Sequence, residues 1–202
     1  MRRGATRVEI SGGIASGKTT LATLLRDAGL IPIYENFRKN PFFLAFYRDP
    51  IGTALETEVT FLLQHYHQQK LAAARMRSYT ADFSLVLDHA YANVTLSARD
   101  VRLFRKVLQR VEEELPRRTL LIRLSCPPEV ELTRIRARRR HAERAITIDY
   151  LEKINVALKT QVGKLPSSEN VLVIDSETTN FAHKQDARID VLHQVTKALR
   201  DI

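Results

Sequence analysis

A glycine-rich loop near the start of the chain carries residues that suit phosphate binding. Residues 12–20 fit the pattern G-x-x-x-x-G-K-[ST] between a short β-prone segment and a helical one. Glycines let the backbone curl until its N–H groups face phosphate oxygens. Lys18 supplies a charge for the β- and γ-phosphates, and the Thr19 hydroxyl can ligate Mg²⁺. The residues expected to bind ATP are Gly12, Gly13, Ile14, Ala15, Ser16, Gly17, Lys18, Thr19 and Thr20.

Two carboxylates follow segments that are typical of strands. Glu35 comes after 31–34, and Asp88 comes after the apolar run 84–87. Ligands bind at the carboxyl edge of an open parallel sheet, so both carboxylates would lie beside the loop and the substrate. We expect Asp88 to hold Mg²⁺ next to Thr19, and Glu35 to accept the proton of an attacking hydroxyl. A solvated surface carboxylate is the alternative for each.

An arginine-rich segment is the second concentration of charge. Six arginines fall between Arg134 and Arg144. A mobile lid that closes over phosphates, with arginines stabilising the transferred phosphoryl group, is one interpretation. A nucleic-acid patch and a solvated helix face are the others, because so many like charges need an anionic partner or water.

The composition bounds the class of protein. With 202 residues, 44% apolar and 27% charged, the chain is typical of one soluble domain. A net charge of +9 suits nucleic acid or a small polyanion such as ATP. We expect no membrane span and no signal peptide, because apolar runs are short. The single cysteine, Cys126, fits a reducing cytoplasm and a buried, unreactive position.

Strand-like and helical segments alternate along the chain. The strands are predicted at 7–11, 31–34, 84–87, 119–124 and 171–174, and the helices at 17–28, 52–78, 97–114, 127–140, 148–164 and 184–201. This alternation predicts a three-layer αβα fold with a five-stranded parallel sheet. Five aromatic residues between 37 and 47 either join the core or wall a pocket for a flat ring.

Two stretches make the chain similar to a known family. Residues 40–50 (NPFFLAFYRDP) and 57–65 (TEVTFLLQH) resemble the deoxynucleoside kinases, chiefly the bacterial deoxyadenosine/deoxyguanosine kinase branch. The resemblance covers nearly the whole chain as a single P-loop kinase domain, with a lid at about 136–146. It implies transfer of the ATP γ-phosphoryl group, with Mg²⁺, to the 5′-hydroxyl of a deoxynucleoside. It also implies a homodimer active in nucleotide salvage.

The resemblance also implies roles for single residues. Glu35 matches the catalytic base, and Tyr47 matches a tyrosine that contacts the 3′-hydroxyl. Glu143 matches a lid glutamate with the same task. Arg138 and Arg140 match lid arginines that reach the ATP phosphates.

Two positions depart from the family's pattern. The family has Asp-Arg-Ser, Glu-Arg-Ser or Asp-Tyr after the third strand, whereas Asp88-His89-Ala90 follows the run 84–87, so the arginine's role is vacant or moved. Glu58 stands where the family places a glutamine that pairs with the base. An ionised carboxylate offers two acceptors for the two adjacent donors of guanine, so Glu58 predicts a purine substrate with deoxyguanosine favoured over deoxyadenosine. Glu56 is the alternative match, but the two side chains would point about 200° apart on a helix.

Three rival functions stay open. Another small-molecule kinase such as dephospho-coenzyme A kinase would share the loop without requiring the stretch 40–50. A nucleotide-dependent nucleic-acid-binding protein would use the lid and Arg2-Arg3 with steep salt dependence, whereas a kinase predicts no nucleic-acid partner. A regulatory relative without turnover would account for His89 in place of the arginine.

Overall fold

A five-stranded parallel sheet forms the centre of the molecule. The computed structural model describes residues 6–140 and 143–202. The sheet order is β2-β3-β1-β4-β5, and each of these neighbouring pairs is parallel, which confirms the predicted architecture. Arg2-Arg3 and part of the lid lie outside the described residues. The strands are β1 (Arg7–Ser11), β2 (Ile31–Ile33), β3 (Tyr79–Ala81), β4 (Leu120–Ser125) and β5 (Val171–Asp175).

Helices cover both faces of the sheet. They are α1 (Lys18–Leu24), α2 (Phe43–Phe46), α3 (Ala54–Ala74), α4 (Leu85–Thr95), α5 (Ala98–Glu114), α6 (Pro128–Arg138), α7 (Ile148–Gly163) and α8 (Gln185–Arg200). Alternate residues of β4 face different helix layers, since successive side chains of a strand point to opposite faces of the sheet. Leu120 and Ile122 pack with α1 and α8, whereas Leu121 packs with α4 and α7. In the described part of the chain, no helix is both long and apolar enough to cross a membrane.

The third strand lies earlier than the sequence predicted. The predicted strand at 84–87 is wrong, because β3 ends at Ala81 and Leu85 begins α4. The Ser84 hydroxyl caps this helix by accepting the Leu87 N–H at 3.0 Å. A short, continuous apolar run fits a buried helix as well as a buried strand. Asp88 therefore lies in the first turn of α4, and the acidic residue that follows the strand is Asp82.

A buried ion cluster ties β1 to its surroundings. Glu9 accepts hydrogen bonds from Arg7 at 2.6 Å, Gln69 at 2.8 Å and Arg118 at 3.1 Å. Arg118 also pairs with Glu169 at 2.9 Å. Burial alone would raise the pKa of Glu9, but the Arg7 and Arg118 guanidinium groups outweigh it and lower that pKa to about 2.

Candidate active site

The glycine-rich loop joins β1 to α1 and curls as the sequence predicted. Gly17, the residue before α1, has a φ of 103°, in the left-handed region that favours glycine. Lys18 Nζ donates to the carbonyl oxygens of Gly12 at 2.9 Å and Gly13 at 2.8 Å. Burial lowers the pKa of Lys18, although the nearby Glu35 carboxylate acts in the opposite direction. The lysine therefore lies over the loop, where a phosphate chain would run.

Asp82 connects this loop to the end of β2. The Thr19 hydroxyl donates to Asp82 Oδ2 at 2.7 Å, and the Glu35 backbone N–H donates to Asp82 Oδ1 at 2.6 Å. Burial raises the pKa of Asp82, while its hydrogen bond with Thr19 opposes that effect. The sequence had predicted this place beside Thr19 for Asp88, and that placement is wrong because Asp88 lies on α4.

The corrected strand moves the departure from the family's pattern to Asp82-Phe83. Asp82-Phe83 follows β3, where an Asp-Tyr pair is one of the family's forms. His89 lies further along α4, where burial and the Arg105 and Lys164 cations lower its pKa to about 4. Asp82-Phe83 keeps the aspartate of the Asp-Tyr form, but it has a phenylalanine in place of the tyrosine and, like that form, no arginine.

A cavity of about 640 Å³ opens above the loop and the carboxyl ends of the strands. Aromatic side chains wall it, and the stretch 37–47 contributes several of them, each partly exposed rather than buried. The stretch 37–47 therefore forms part of a pocket wall, as one of its two interpretations predicted, and its aromatic residues do not join the buried core. The aromatic residues lining the cavity are Phe37, Phe43, Phe46, Tyr47, Phe61, Phe83, Tyr91 and Tyr150.

Glu58 faces this cavity from α3. The residue is 6% exposed, and its Oε1 accepts a hydrogen bond from the Thr95 hydroxyl at 2.9 Å. Burial raises the pKa of Glu58 to about 8. Glu56 is exposed to solvent, so the alternative register is excluded.

His65 is a site residue that sequence reasoning missed. Its Nδ1 lies 2.9 Å from Asp88 Oδ2, and its Nε2 lies 3.4 Å from Glu35 Oε1, a distance typical of an ion pair. The imidazole stacks on Phe83 with ring centroids 4.0 Å apart. The available signal was spacing, since His65 is seven residues after Glu58 and so lies on the same face of a helix.

The charges around His65 favour an imidazolium between two carboxylates. Burial disfavours that cation, but the Asp88 and Glu35 carboxylates outweigh it and raise the pKa of His65 to about 10. Glu35 opens into the cavity with 37% of its side chain exposed. Burial alone would raise the pKa of Glu35, but His65 and Lys18 outweigh it and lower that pKa. An ionised carboxylate thus faces the space above the loop.

The described part of the lid folds back toward the same cavity. Arg138 donates two hydrogen bonds of 2.6 Å to Glu143, and Arg140 approaches the same carboxylate at 3.4 Å. All three residues line the cavity together with Lys18. The guanidinium of Arg140 also lies 5.1 Å from the ring centroid of Phe37.

The donor set near Thr19 fits Mg²⁺ bound with a nucleotide. Among residues 6–140 and 143–202, no group of three His, Cys, Asp or Glu side chains could hold a metal ion. Mg²⁺ keeps several waters and takes one or two protein oxygens together with phosphates. The Thr19 hydroxyl and the Asp82 carboxylate supply two such oxygens within 2.7 Å of each other.

Comparison with known proteins agrees with this geometry. A family model described as deoxynucleoside kinase matches residues 8–200. A deoxyadenosine kinase of Dictyostelium discoideum is 30% identical over 155 residues, which span 74% of this chain but only 63% of that protein. A deoxyguanosine kinase of Bacillus subtilis (strain 168) is 28% identical over 183 residues, 86% of this chain and 88% of that protein.

Solved structures share the fold. The deoxyadenosine kinase from M. mycoides with products dCMP and a flexible dCDP superposes with a TM-score of 0.81 at 21% identity, covering 98% of this chain and 100% of that one. The same enzyme with bound dATP gives a TM-score of 0.78 at 20% identity, covering 95% and 99%.

Proposed function

This chain belongs to the deoxynucleoside kinase family, a family of ATP-dependent phosphotransferases, and on that premise we propose that it phosphorylates purine deoxynucleosides. The γ-phosphoryl group of ATP would pass to the 5′-hydroxyl, with deoxyguanosine favoured where Glu58 is ionised. One observation carries the proposal: the phosphate loop, the Glu35 carboxylate and the lid arginines all line one aromatic-walled cavity.

The donor half of the site would hold the triphosphate. The loop N–H groups and Lys18 would bind the β- and γ-phosphates. Thr19 and Asp82 would hold Mg²⁺, which would neutralise charge on those phosphates. Among the residues that the structure describes, Lys18 donates only to loop carbonyl oxygens, so it is free to turn toward an incoming phosphate.

The acceptor half would activate the sugar hydroxyl. Glu35 would take the 5′-hydroxyl proton while the new oxygen–phosphorus bond forms and the bond to ADP breaks. His65 would act as a positioning residue, since it holds the Glu35 carboxylate from behind through the 3.4 Å contact. Tyr47 and Glu143 would contact the 3′-hydroxyl, as the family resemblance implies.

The lid arginines would stabilise the transferred group. Arg138 and Arg140 are held by Glu143 and lie on the cavity lining, within reach of a triphosphate on the loop. Guanidinium groups match phosphate oxygens in geometry and stay charged at all working pH values. The concentration of arginines in 134–144 thus suits a small polyanion.

Incubation with Mg-ATP and each of the four deoxynucleosides tests the proposal. We expect monophosphate from deoxyguanosine and deoxyadenosine, and a loss of about 10²- to 10⁴-fold in kcat for Glu35→Gln. Glu56→Gln, an exposed glutamate on α3, is the matched control and should keep full activity. If ATP binds and no deoxynucleoside is phosphorylated, the proposed activity is wrong.

We also propose that the protein is a cytoplasmic homodimer, as the family resemblance implies. The helices α4 and α7 pack side by side on one flank of the sheet, and Val156 of α7 is 65% exposed there. Light scattering after gel filtration should give twice the 23.1 kDa chain mass. A monomer at micromolar concentration would contradict a homodimer.

A further inference from the structure

Glu58 is a buried carboxyl, and no cation in the described structure forms an ion pair with it. Its one hydrogen bond in the described structure comes from the neutral Thr95 hydroxyl, to Oε1. None of the described ion pairs includes Glu58, although it is 6% exposed. Carboxylates are seldom buried without such a partner, because the charged form loses its hydration. The other oxygen, Oε2, is left for whatever fills the cavity.

We infer that Glu58 recognises the purine edge in two protonation states, adenine as the neutral acid and guanine as the carboxylate, so that pH selects the substrate. The inference rests on the proposed function, since it assigns the base of the deoxynucleoside to this end of the cavity.

The two states differ in hydrogen-bonding pattern. A neutral carboxyl has one donor and one acceptor, and a carboxylate has two acceptors. Adenine presents an acceptor at N1 beside a donor amino group, which complements the neutral acid. Guanine presents two adjacent donors, N1–H and the 2-amino group, which complement the carboxylate. A carboxylate against adenine sets acceptor against acceptor at N1, and a neutral acid against the N1–H and 2-amino group of guanine sets donor against donor. Either mismatch leaves buried polar groups unpaired.

The Thr95 hydroxyl has two acceptors within reach, Glu58 Oε1 at 2.9 Å and the Tyr91 carbonyl oxygen at 3.0 Å. When its single proton goes to Glu58 Oε1, the acid proton of a neutral Glu58 belongs on Oε2. Oε2–H would then donate to adenine N1, and Oε1 would accept from the amino group through its second lone pair. The same side chain therefore imitates the amide of the glutamine that the family usually has here.

The surrounding charges keep the two states close in free energy. Burial raises the pKa of Glu58 to about 8, and the Asp88 and Glu35 carboxylates act in the same direction. The Thr95 hydrogen bond and the His65 cation oppose them. That cation lies between Asp88 and Glu35 and contacts both, so it compensates Glu58 only weakly. The titratable and charged groups that face Glu58 are His65 on its own helix, Asp88 on α4, Tyr150 on α7 and Glu35 beyond β2.

The test is the ratio of kcat/KM for deoxyguanosine to that for deoxyadenosine, measured between about pH 6 and about pH 8.5. Titration of Glu35 and of ATP affects both substrates equally and cancels in the ratio. We expect the ratio to rise by up to about tenfold per pH unit below the pKa of Glu58, because each unit raises the carboxylate-to-acid ratio tenfold.

Glu58→Gln is the matched variant, because its amide has the same shape and does not titrate. Its ratio should not change with pH. Thr95→Val removes the hydroxyl that favours the carboxylate, so the rise should move to higher pH. A flat ratio in the unmodified protein, or an equal rise in Glu58→Gln, would overturn the inference while leaving the kinase proposal intact.

Calorimetric binding separates this inference from the proposed activity. Deoxyguanosine binding at neutral pH should release a proton, seen as an enthalpy that depends on the buffer, whereas deoxyadenosine binding should not. Proton-linked binding without any monophosphate would support the inference and overturn the phosphotransfer. Binding of both purines without proton release would overturn the inference.

Discussion

His65 contacts two carboxylates that the proposed mechanism uses differently. Asp88 holds one side of the imidazole, and Glu35 faces the reacting hydroxyl from the other. Without the imidazole, Glu35 would lose its only cationic contact within 4 Å in the described structure. A displaced general base slows the reaction, because proton transfer is sensitive to shifts of about a few tenths of an ångström in the position of the base.

We therefore expect His65→Gln to lower kcat by about 10- to 100-fold, with little change in the KM for purine deoxynucleoside. Steady-state kinetics at saturating Mg-ATP measure both constants. His67→Gln is the matched control, an exposed histidine on the same helix, and should behave as the unmodified protein. Equal losses in the two variants, or a raised KM with kcat unchanged, would contradict the positioning role.

Much of the candidate site could be predicted residue by residue. The loop, Glu35, Tyr47, Glu58 and the lid residues do meet in one cavity. Asp88 was misplaced because an apolar run of a few residues does not distinguish strand from helix. His65 was missed because its contacts with Glu35 and Asp88 join residues far apart in the sequence, and its spacing from Glu58 indicates only a shared helix face.

At the scale of elements, α6 presents lid arginines on different faces. Arg138 points into the cavity and pairs with Glu143, whereas Arg136 is exposed two residues earlier. The helix ends at Arg138, and Arg139 follows with a φ of 53°, which turns the chain toward Glu143. Position on the helix, rather than charge alone, therefore decides which arginines can act on a phosphoryl group.

We expect Arg138→Ala to lower kcat by about 10²- to 10³-fold, since an arginine at the transferred phosphoryl group contributes mainly in the transition state. Arg136→Ala removes the same charge from the same helix and should keep kcat within about twofold. Single-turnover measurements with saturating deoxyguanosine compare the two. Similar losses would mean that the lid acts through its net charge.

The elements themselves were predictable to different degrees. Helices with a clear apolar period, such as α5 and α7, lie within a few residues of their predicted ranges. The strand β3 has three residues and precedes a longer apolar helix, so local pattern favoured the wrong segment. Only its pairing with β1 and β2 identifies it, and pairing partners far apart in sequence are not visible in local pattern.

For the whole molecule, the Glu9 cluster predicts how stability depends on pH. The pKa of Glu9 is about 2 in the folded protein, against an ordinary value of 4.5. A lowered pKa means that the carboxylate stabilises the fold at every pH above about 4.5. As the pH falls from there to about 2, the cluster must take up a proton and that stabilisation is lost.

Glu9→Gln should lower the free energy of unfolding at neutral pH by about 3–5 kcal/mol, because it leaves two buried arginines short of a charge partner. The variant should also lose less stability than the unmodified protein between about pH 4.5 and pH 2. Urea unfolding at several pH values measures both effects. Glu113→Gln, which breaks an exposed pair with Arg110 at 3.7 Å, is the control and should change neither. Equal acid sensitivity in Glu9→Gln and the unmodified protein would contradict this account.

The bridge made by Asp82 has a consequence for protein engineering. One carboxylate accepts both the Thr19 hydroxyl and the Glu35 backbone N–H, so the donor and acceptor halves share a single support. Remodelling the segment after β2 to admit a new acceptor would shift this support and weaken ATP use as well. In the described structure, the side chains of Glu58 and His65 on α3 form no hydrogen bond with the phosphate-binding loop or with Asp82. A library that diversifies Glu58 and its neighbours on that face, with His65 kept because it positions Glu35, can therefore change the accepted nucleoside while the machinery for ATP stays intact.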